Sequence, residues 1–136
     1  MANVVAPTAL KMFLDADIDL LVDTIRVALC DAADVAYNSA HDYYDDISAA
    51  VVGGALSTNP ALGTKTTTAG VFDAADTTWT ALTGDQCEYI WIYKDTGTAA
   101  TSPLICGMDT FASGMPITPN GGDFKMQWNA SGIFSI

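Results

Sequence analysis

The stretch that decides the fold is residues 87–108, CEYIWIYKDTGTAATSPLICGM. Two apolar segments, residues 89–93 and 104–106, flank a polar tract made of Thr, Ala, Ser and Gly. Continuous apolar and aromatic character is typical of strands that are buried on both faces. We therefore predict a long β-hairpin whose loop of small side chains carries no group suited to acid–base or metal chemistry.

Shorter strand patterns precede this hairpin. Ile25, Val27 and Leu29 recur at every second position, which places them on one face and predicts a core strand. Residues 64–68 are rich in threonine and are predicted to form a strand, and residues 77–82 are predicted to form another, which carries a tryptophan. These patterns indicate that the chain is mainly sheet.

The remaining elements are predicted to be small. Residues 124–128 alternate between apolar and polar, and together with residues 133–136 they predict a closing two-stranded ribbon. A short helix is predicted at residues 7–14, and Ser39 is a candidate cap for a second one. We expect a mainly β fold: a compact β-sandwich or barrel-like single domain over residues 1–136, with one or two short helices.

Charge limits the partners of this chain. Sixteen acidic residues against five basic ones give a formal net charge of −11 over 136 residues. Such a chain should repel a phosphate backbone and an anionic membrane, whereas a basic protein partner would suit it. No apolar run approaches the roughly 18–20 residues of a membrane span. Residues 1–13 lack the pattern of a signal peptide, so we expect synthesis in a cytosol.

Candidate catalytic and metal-binding groups are few. His41 is the only histidine, and no GxSxG motif accompanies it. Two acidic clusters are present, one formed by Asp15, Asp17 and Asp19 and the other by Asp42, Asp45 and Asp46. Neither has the spacing of a calcium-binding loop, but calcium coordination stays the alternative interpretation at both. We predict that the protein is not an enzyme, that it has no catalytic or metal site, and that it needs no cofactor.

The three cysteines are too widely spaced for a zinc motif. Cys30 and Cys106 lie in apolar strand patterns, where reduced, buried thiols are expected. A disulfide between Cys87 and Cys106 across the hairpin is the alternative, and it requires Cα atoms within about 7 Å.

The three tryptophans also lie in strand patterns. Trp79, Trp91 and Trp128 each have apolar neighbours, which favours positions in the core or in a subunit interface. An exposed aromatic platform that binds sugars is the alternative interpretation.

Five sequence blocks, which follow one another along nearly the whole chain, resemble small structural proteins encoded in the genomes of tailed phages. They are residues 23–31 (DTIRVALCD), 40–47 (AHDYYDDI), 71–82 (VFDAADTTWTAL), 90–105 (IWIYKDTGTAATSPLI) and 121–136 (GGDFKMQWNASGIFSI). The block at 90–105 is the most specific. The chain departs from the pattern at residues 52–64, where a turn rich in Gly and Tyr is expected, and at its three cysteines.

The resemblance implies a virion protein, and a capsid decoration (cement) protein fits best. Such a protein lies on the outer surface of the capsid, commonly as a trimer, and stabilises contacts between subunits of the major capsid protein. A tail or neck component, or a virion module that binds a glycan or receptor, is the alternative.

Three regions are expected to form interfaces if this role is right. Residues 1–13 are apolar and could dock as an N-terminal arm, the small polar loop at residues 96–102 could lie against the shell, and hairpin aromatics could pack between subunits of a trimer. The predicted interface residues are Val4, Val5, Leu10, Phe13, Trp91, Tyr93, Thr96, Thr98 and Thr101.

Overall fold

The computed structural model describes residues 4–111 and 114–136, and in these ranges the chain is mainly β. The strands are β1 (Val4–Val5), β2 (Ile25–Cys30), β3 (Val51–Val52), β4 (Val71–Phe72), β5 (Thr77–Trp79), β6 (Tyr89–Lys94), β7 (Leu104–Met108), β8 (Phe124–Met126) and β9 (Phe134–Ser135). One α-helix, α1 (Pro7–Leu14), and four short 3₁₀ helices complete these elements: Tyr44–Asp46, Ser48–Ala50, Thr68–Gly70 and Ala99–Thr101. The expectation of a mainly β fold with little helix is confirmed.

A five-stranded antiparallel sheet with the order β1-β7-β6-β2-β3 forms the centre of the fold. The predicted hairpin is its β6–β7 pair, in which Trp91 lies opposite Gly107 and Ile92 opposite Cys106. Strand β2 pairs with β6 along six residues. Nearly every side chain of these three strands is buried, because other segments cover both faces of the sheet.

Short segments cover both edges of the sheet. Strand β1 pairs with β7, and α1 packs against β7 through the buried Ala9. Pro7 occupies the first turn of α1, where its missing N–H costs nothing. On the other edge, the backbone of Pro60 accepts a hydrogen bond from Val27 N at 3.1 Å. None of the helices in the described ranges is long and apolar enough to cross a bilayer.

Two of the predicted local elements are wrong. Residues 124–136 do not fold back on themselves: β8 pairs with β5, and β9 pairs with β4. Alternation predicts that a strand forms, but it does not identify the partner strand, which here comes from a distant part of the chain. Residues 64–68 form no strand: Thr66 makes only an isolated bridge to Asp73, and the positive φ angles of Thr64 and Ala69 (51° and 56°) end the extended backbone on either side.

The predicted cap at Ser39 is also wrong. The first 3₁₀ helix begins after Tyr43, and no side chain caps it. Asp46 instead accepts a hydrogen bond from Asp42 N at 3.0 Å, and Ser39 lies in the preceding turn. Ser39 lies five residues before the first helical residue, too far to accept a hydrogen bond from the free N–H groups of the first turn.

A partly buried ion pair ties the sheet to a neighbouring loop. Arg26 Nε on β2 donates to Asp95 Oδ2 at 2.8 Å, and its Nη1 donates to the carbonyl of Asn59 at 2.7 Å. Burial raises the pKa of Asp95, but hydrogen bonds from Arg26, Gly97 and Ser57 outweigh it and hold that pKa below its ordinary value. The loop at residues 53–62 is therefore held against the sheet.

Candidate interaction surface

Large exposed apolar side chains are concentrated on one segment. Within the described ranges there are five, and four of them lie between residues 10 and 22. Leu14 is 88% exposed and Val22 80%, whereas Leu21 is 51% and Leu10 38% exposed. We call these four side chains the apolar patch. Single exposed apolar residues are ordinary on a protein surface, but four of them within one short segment make that segment the candidate interaction surface.

The end of α1 presents half of the apolar patch. Leu10 and Leu14 are four residues apart, so they share a face of the helix that differs from the face buried through Ala9. The helix ends at Leu14, and Ala16, whose φ is 61°, turns the chain away from the helix axis. Asp17 N closes the end of the helix with a 2.8 Å hydrogen bond to Met12 O.

An aspartate turn presents the other half. The Asp19 carboxylate accepts hydrogen bonds from the backbone N–H groups of Leu21 and Val22, at 3.0 and 3.2 Å. Asp23 closes the turn from the other side, because its Oδ2 accepts a hydrogen bond from Asp19 N at 2.8 Å. Side chains that form turns by bonding nearby backbone groups in this way fix the local conformation. Leu21 and Val22 are thus held outward by a hydrogen-bonded turn.

A shallow depression of about 350 Å³ lies within this region. Its apolar lining joins α1 to the aspartate turn, and Thr67 contributes from a different part of the chain. The apolar residues that line it are Phe13, Ala16, Ile18, Leu20 and Leu21. The segment therefore offers both protruding apolar side chains and a recess.

Lysines near the apolar patch are already engaged with the chain. Lys11 pairs with Asp15 one helical turn away. Lys94 Nζ lies 3.1 Å from Asp23 Oδ2 and also donates to the carbonyl of Asp17 at 2.7 Å. These contacts leave few ammonium groups at this surface free to meet a partner.

The carboxylates beside the apolar patch outnumber these cations. Lys65 donates to the carbonyl of Asp23 at 2.6 Å, so it does not neutralise a carboxylate there. Across residues 4–111 and 114–136, neither Asp17 nor Asp19 forms an ion pair. The apolar patch is consequently bordered by more carboxylates than ammonium groups, and Asp17 and Asp19 are the two that form no ion pair among the described residues.

From residue 4 onward, the predicted N-terminal arm is packed into the fold of the chain itself. Val4 and Val5 are half-buried and form β1, opposite Gly107 and Cys106. Their backbone groups are used by the sheet, so the segment is not free to reach a neighbour. Residues 1–3 of the predicted arm lie outside the described residues. Two of its members do reach the candidate surface, because Leu10 belongs to the apolar patch and Phe13 lines the depression.

Trp91 and Tyr93 are not surface residues, and their predicted place in a subunit interface is wrong. Both are completely buried. Trp91 stacks against Tyr37 with ring centroids 5.8 Å apart. The hydroxyl of Tyr93 donates to the carbonyl of Leu56 at 2.6 Å and accepts from Asn59 Nδ2 at 3.1 Å. Strand β6 is covered on both faces, so its aromatics belong to the core.

The loop at residues 96–102 is exposed but internally bonded. Thr96, Thr98 and Thr101 are all exposed, as expected of surface residues. The hydroxyls of Thr96 and Thr101 lie 2.7 Å apart, and Ser102 Oγ donates to the carbonyl of Thr98 at 2.8 Å. Because these hydroxyls bond within the loop, few of its polar groups still need a hydrogen-bond partner.

Acidic groups converge at a place that neither predicted cluster occupies. Carboxylate oxygens of Asp31, Asp34 and Asp85 lie within 4.8 Å of one another. Asp31 is buried, and its Oδ1 accepts a hydrogen bond from Ala33 N at 2.8 Å. These residues come from two distant segments, so no local spacing in the sequence marks them.

The predicted acidic cluster around Asp42 is organised by hydrogen bonds. Burial, followed by the neighbouring Asp46, raises the pKa of Asp42. The backbone N–H of Asp42 is the main cause of the lowered pKa of Asp46. His41, the candidate catalytic residue, is half-buried, and its Nδ1 is buried without a hydrogen-bond partner in the described part of the chain.

All three cysteines are free and buried, so the alternative disulfide between Cys87 and Cys106 is absent. Burial raises the pKa of both of these thiols to about 12, with nearby carboxylates adding to the effect at Cys87. Burial raises the pKa of Cys30 as well. Thiols in such surroundings are chemically inert.

The other two tryptophans are also core residues. Trp79 is 2% and Trp128 9% exposed, and Trp79 stacks against Phe124 at 5.7 Å. The indole N–H of Trp128 donates to Thr77 Oγ1 at 3.2 Å. With Trp91 buried too, the tryptophans do not form the exposed platform that sugar binding would need.

A larger cavity of about 590 Å³ lies near β8. It is rich in methionine and aromatic side chains, and the described lining residues include no carboxylate, imidazole or thiol. Its principal apolar residues are Met108, Phe111, Met115, Phe124, Met126 and Trp128. Lys125, at its edge, has its ammonium 3.4 Å from Asp76 Oδ2.

Compared with known proteins, the chain matches no family model and no curated protein. A functional assignment therefore depends on the surface of the molecule. Of the features described above, the apolar patch is the one that points most directly to a function, because it is exposed, clustered and held in place.

Proposed function

We propose that this protein is a non-enzymatic capsid decoration protein of a tailed phage. It binds the outer surface of the head and stabilises contacts between subunits of the major capsid protein. The apolar patch is the observation that carries the proposal, because it gives a small acidic β domain a fixed surface for binding another protein. The sequence resemblance supplies the phage context.

The energetics of the apolar patch suit a binding role. Leu14 and Val22 are almost fully solvated, and burying a side chain of this size contributes roughly 1.5–3 kcal/mol. The hydrogen-bonded turn already fixes Leu21 and Val22, so little conformational entropy is lost when they are covered. Even a modest binding free energy per copy would stabilise the capsid substantially when many copies bind one shell.

Rigidity supports the same role. A decoration protein resists the separation of capsid subunits, so its own fold must not yield first. The buried three-strand centre and the Arg26–Asp95 ion pair stabilise the fold that carries the apolar patch. The trimer that the resemblance implies is part of the proposal, and analytical ultracentrifugation of the purified protein tests it.

Heads of the parent phage that lack this protein provide the functional test. Purified protein added to such heads should co-sediment with them, saturate at a defined copy number and raise the temperature at which packaged DNA is released. An equal amount of bovine serum albumin controls for crowding. Absence of binding to heads, or binding confined to tails and necks, would overturn the proposal, and the second result would favour a tail or neck component.

A further inference from the structure

We infer that the apolar patch binds an apolar segment flanked by lysine or arginine in a partner protein, and that it does not bind a second copy of this chain. The inference names the chemistry of the partner, and it rests on the proposed function only for the capsid as the source of that segment. Two independent properties of the surface support it: its apolar shape and its excess of carboxylates over ammonium groups.

The apolar patch combines protruding side chains with a recess. Leu14 and Val22 protrude, whereas the depression between Phe13 and Leu21 is a recess of about 350 Å³. A surface with adjacent protrusions and a recess suits a partner that inserts an apolar side chain and packs its neighbours around it. Amphipathic segments bind in grooves in this manner.

Carboxylates border the apolar patch. Asp17 and Asp19 have no ion-pair partner among the described residues, and the nearby Lys65 and Lys94 ammonium groups are held by backbone carbonyls or Asp23. Cations on a partner would therefore meet carboxylates that form no ion pair within the chain. Complementary charge of this kind selects partners and speeds their encounter.

The same charges disfavour other occupants. Two copies that met through the apolar patch would bring the carboxylates of Asp17 and Asp19 together, and each copy carries a formal charge of −11. Like charges at an interface are costly, so self-association is disfavoured. An anionic membrane surface is repelled for the same reason.

Synthetic peptides test the inference directly. One fluorescent peptide carries leucines at helical spacing with lysines elsewhere, and a matched peptide carries glutamates in place of the lysines. Fluorescence anisotropy with the full chain should show binding of the lysine peptide that weakens as salt is raised. The glutamate peptide should bind at least about tenfold more weakly, a difference of roughly 1.4 kcal/mol.

Variants locate the binding surface. The double substitution Leu14→Ser with Val22→Ser leaves the charge unchanged and should weaken binding of the lysine peptide about tenfold or more. Ile136→Ser is the matched control, because Ile136 is exposed and apolar but lies outside the apolar patch. Asp17→Asn should weaken binding about two- to threefold and reduce its dependence on salt.

Three results would overturn the inference: equal binding of the two peptides, no effect of the double serine substitution, or a dimer in solution that this substitution dissociates. Head binding separates it from the proposed function. Normal binding of the double variant to heads would sink the inference alone, whereas peptide binding without any head binding would sink the proposed function alone.

Discussion

Gly107 on β7 is the position where a single methyl group should do the most damage to the sheet. A Cβ atom built there would lie 2.7 Å from Trp91 Cζ2 and 2.8 Å from both Trp91 Cη2 and Tyr37 Cε1. Ordinary van der Waals contact begins near 3.4 Å, so both rings would have to move by more than half an ångström. Trp91 is fully buried and has no room to do so, so its contact with the added methyl group is strained even if the half-buried Tyr37 yields.

The expected cost of Gly107→Ala is about 1–3 kcal/mol in the free energy of unfolding, the range found when one methyl group is forced into a packed core. Gly63→Ala is the matched control, because nothing lies within 4 Å of its added Cβ and its φ is not left-handed. That variant should be neutral or more stable by about 0.4–1 kcal/mol, since alanine restricts the unfolded chain.

Urea unfolding followed by tryptophan fluorescence measures both variants. The midpoint should fall for Gly107→Ala with an unchanged slope, and Tyr37→Ala should lessen the effect in a double-mutant cycle. If Gly107→Ala is as stable as the parent, or if the two glycine variants lose stability equally, the packing of Tyr37 and Trp91 over Gly107 is not as described.

Three further predictions concern charge, thiols and the apolar patch. Asp95→Asn should lower the free energy of unfolding at neutral pH by about 3 kcal/mol, because it leaves Arg26 partly buried without its carboxylate. Since the pKa of Asp95 is depressed in the folded state, its contribution to stability is present above the unfolded pKa of about 3.9 and is lost as the pH falls through the folded pKa. The free energy of unfolding should therefore fall less steeply with decreasing pH in this variant than in the parent. Equal steepness would contradict the ion pair. At about pH 8 the three buried thiols should react with Ellman's reagent only as the protein unfolds, and rapid labelling of the native protein would show that they are accessible. The double serine substitution at Leu14 and Val22 should change stability by no more than about 0.5 kcal/mol per site, as measured by thermal unfolding, and a larger loss would mean that these side chains belong to the core.

The centre of the fold was predictable from the sequence because its patterns are local and strong. Ile25, Val27 and Leu29 alternate as a strand requires, and residues 89–93 are apolar without interruption. The hairpin partner of β6 follows within the same stretch, so chain proximity identifies it. The continuous apolar run also implied burial on both faces, which places Trp91 and Tyr93 in the core and leaves no face for a subunit contact.

The peripheral pairings could not be predicted in this way. Phe124 and Phe134 lie on neighbouring strands in the sequence, but their partners are Trp79 and Phe72, which precede the hairpin. A two-residue strand has too little pattern to specify a partner, and the choice depends on packing among distant segments. For the same reason, the sequence does not reveal that Asp31 lies close to Asp85 in the fold.

The candidate surface was only partly visible in the sequence. Leu10, Phe13 and Leu14 recur at helical spacing, which indicates an apolar face but does not say whether the protein covers it. The triplet at residues 20–22, Leu-Leu-Val between Asp19 and Asp23, was the missed signal: apolar residues within an aspartate turn have few ways to be buried. Exposure depends on how closely other segments approach, which one sequence does not reveal.

A reconstruction of the parent phage particle by cryo-electron microscopy, at a resolution that shows side chains, tests the central claim most directly. We predict density for this chain in many copies on the outer surface of the head, with Leu14 and Val22 against a capsid subunit and lysine or arginine side chains beside Asp17. Density confined to the neck or tail, or copies on the head whose Leu14 and Val22 face solvent, would contradict the account.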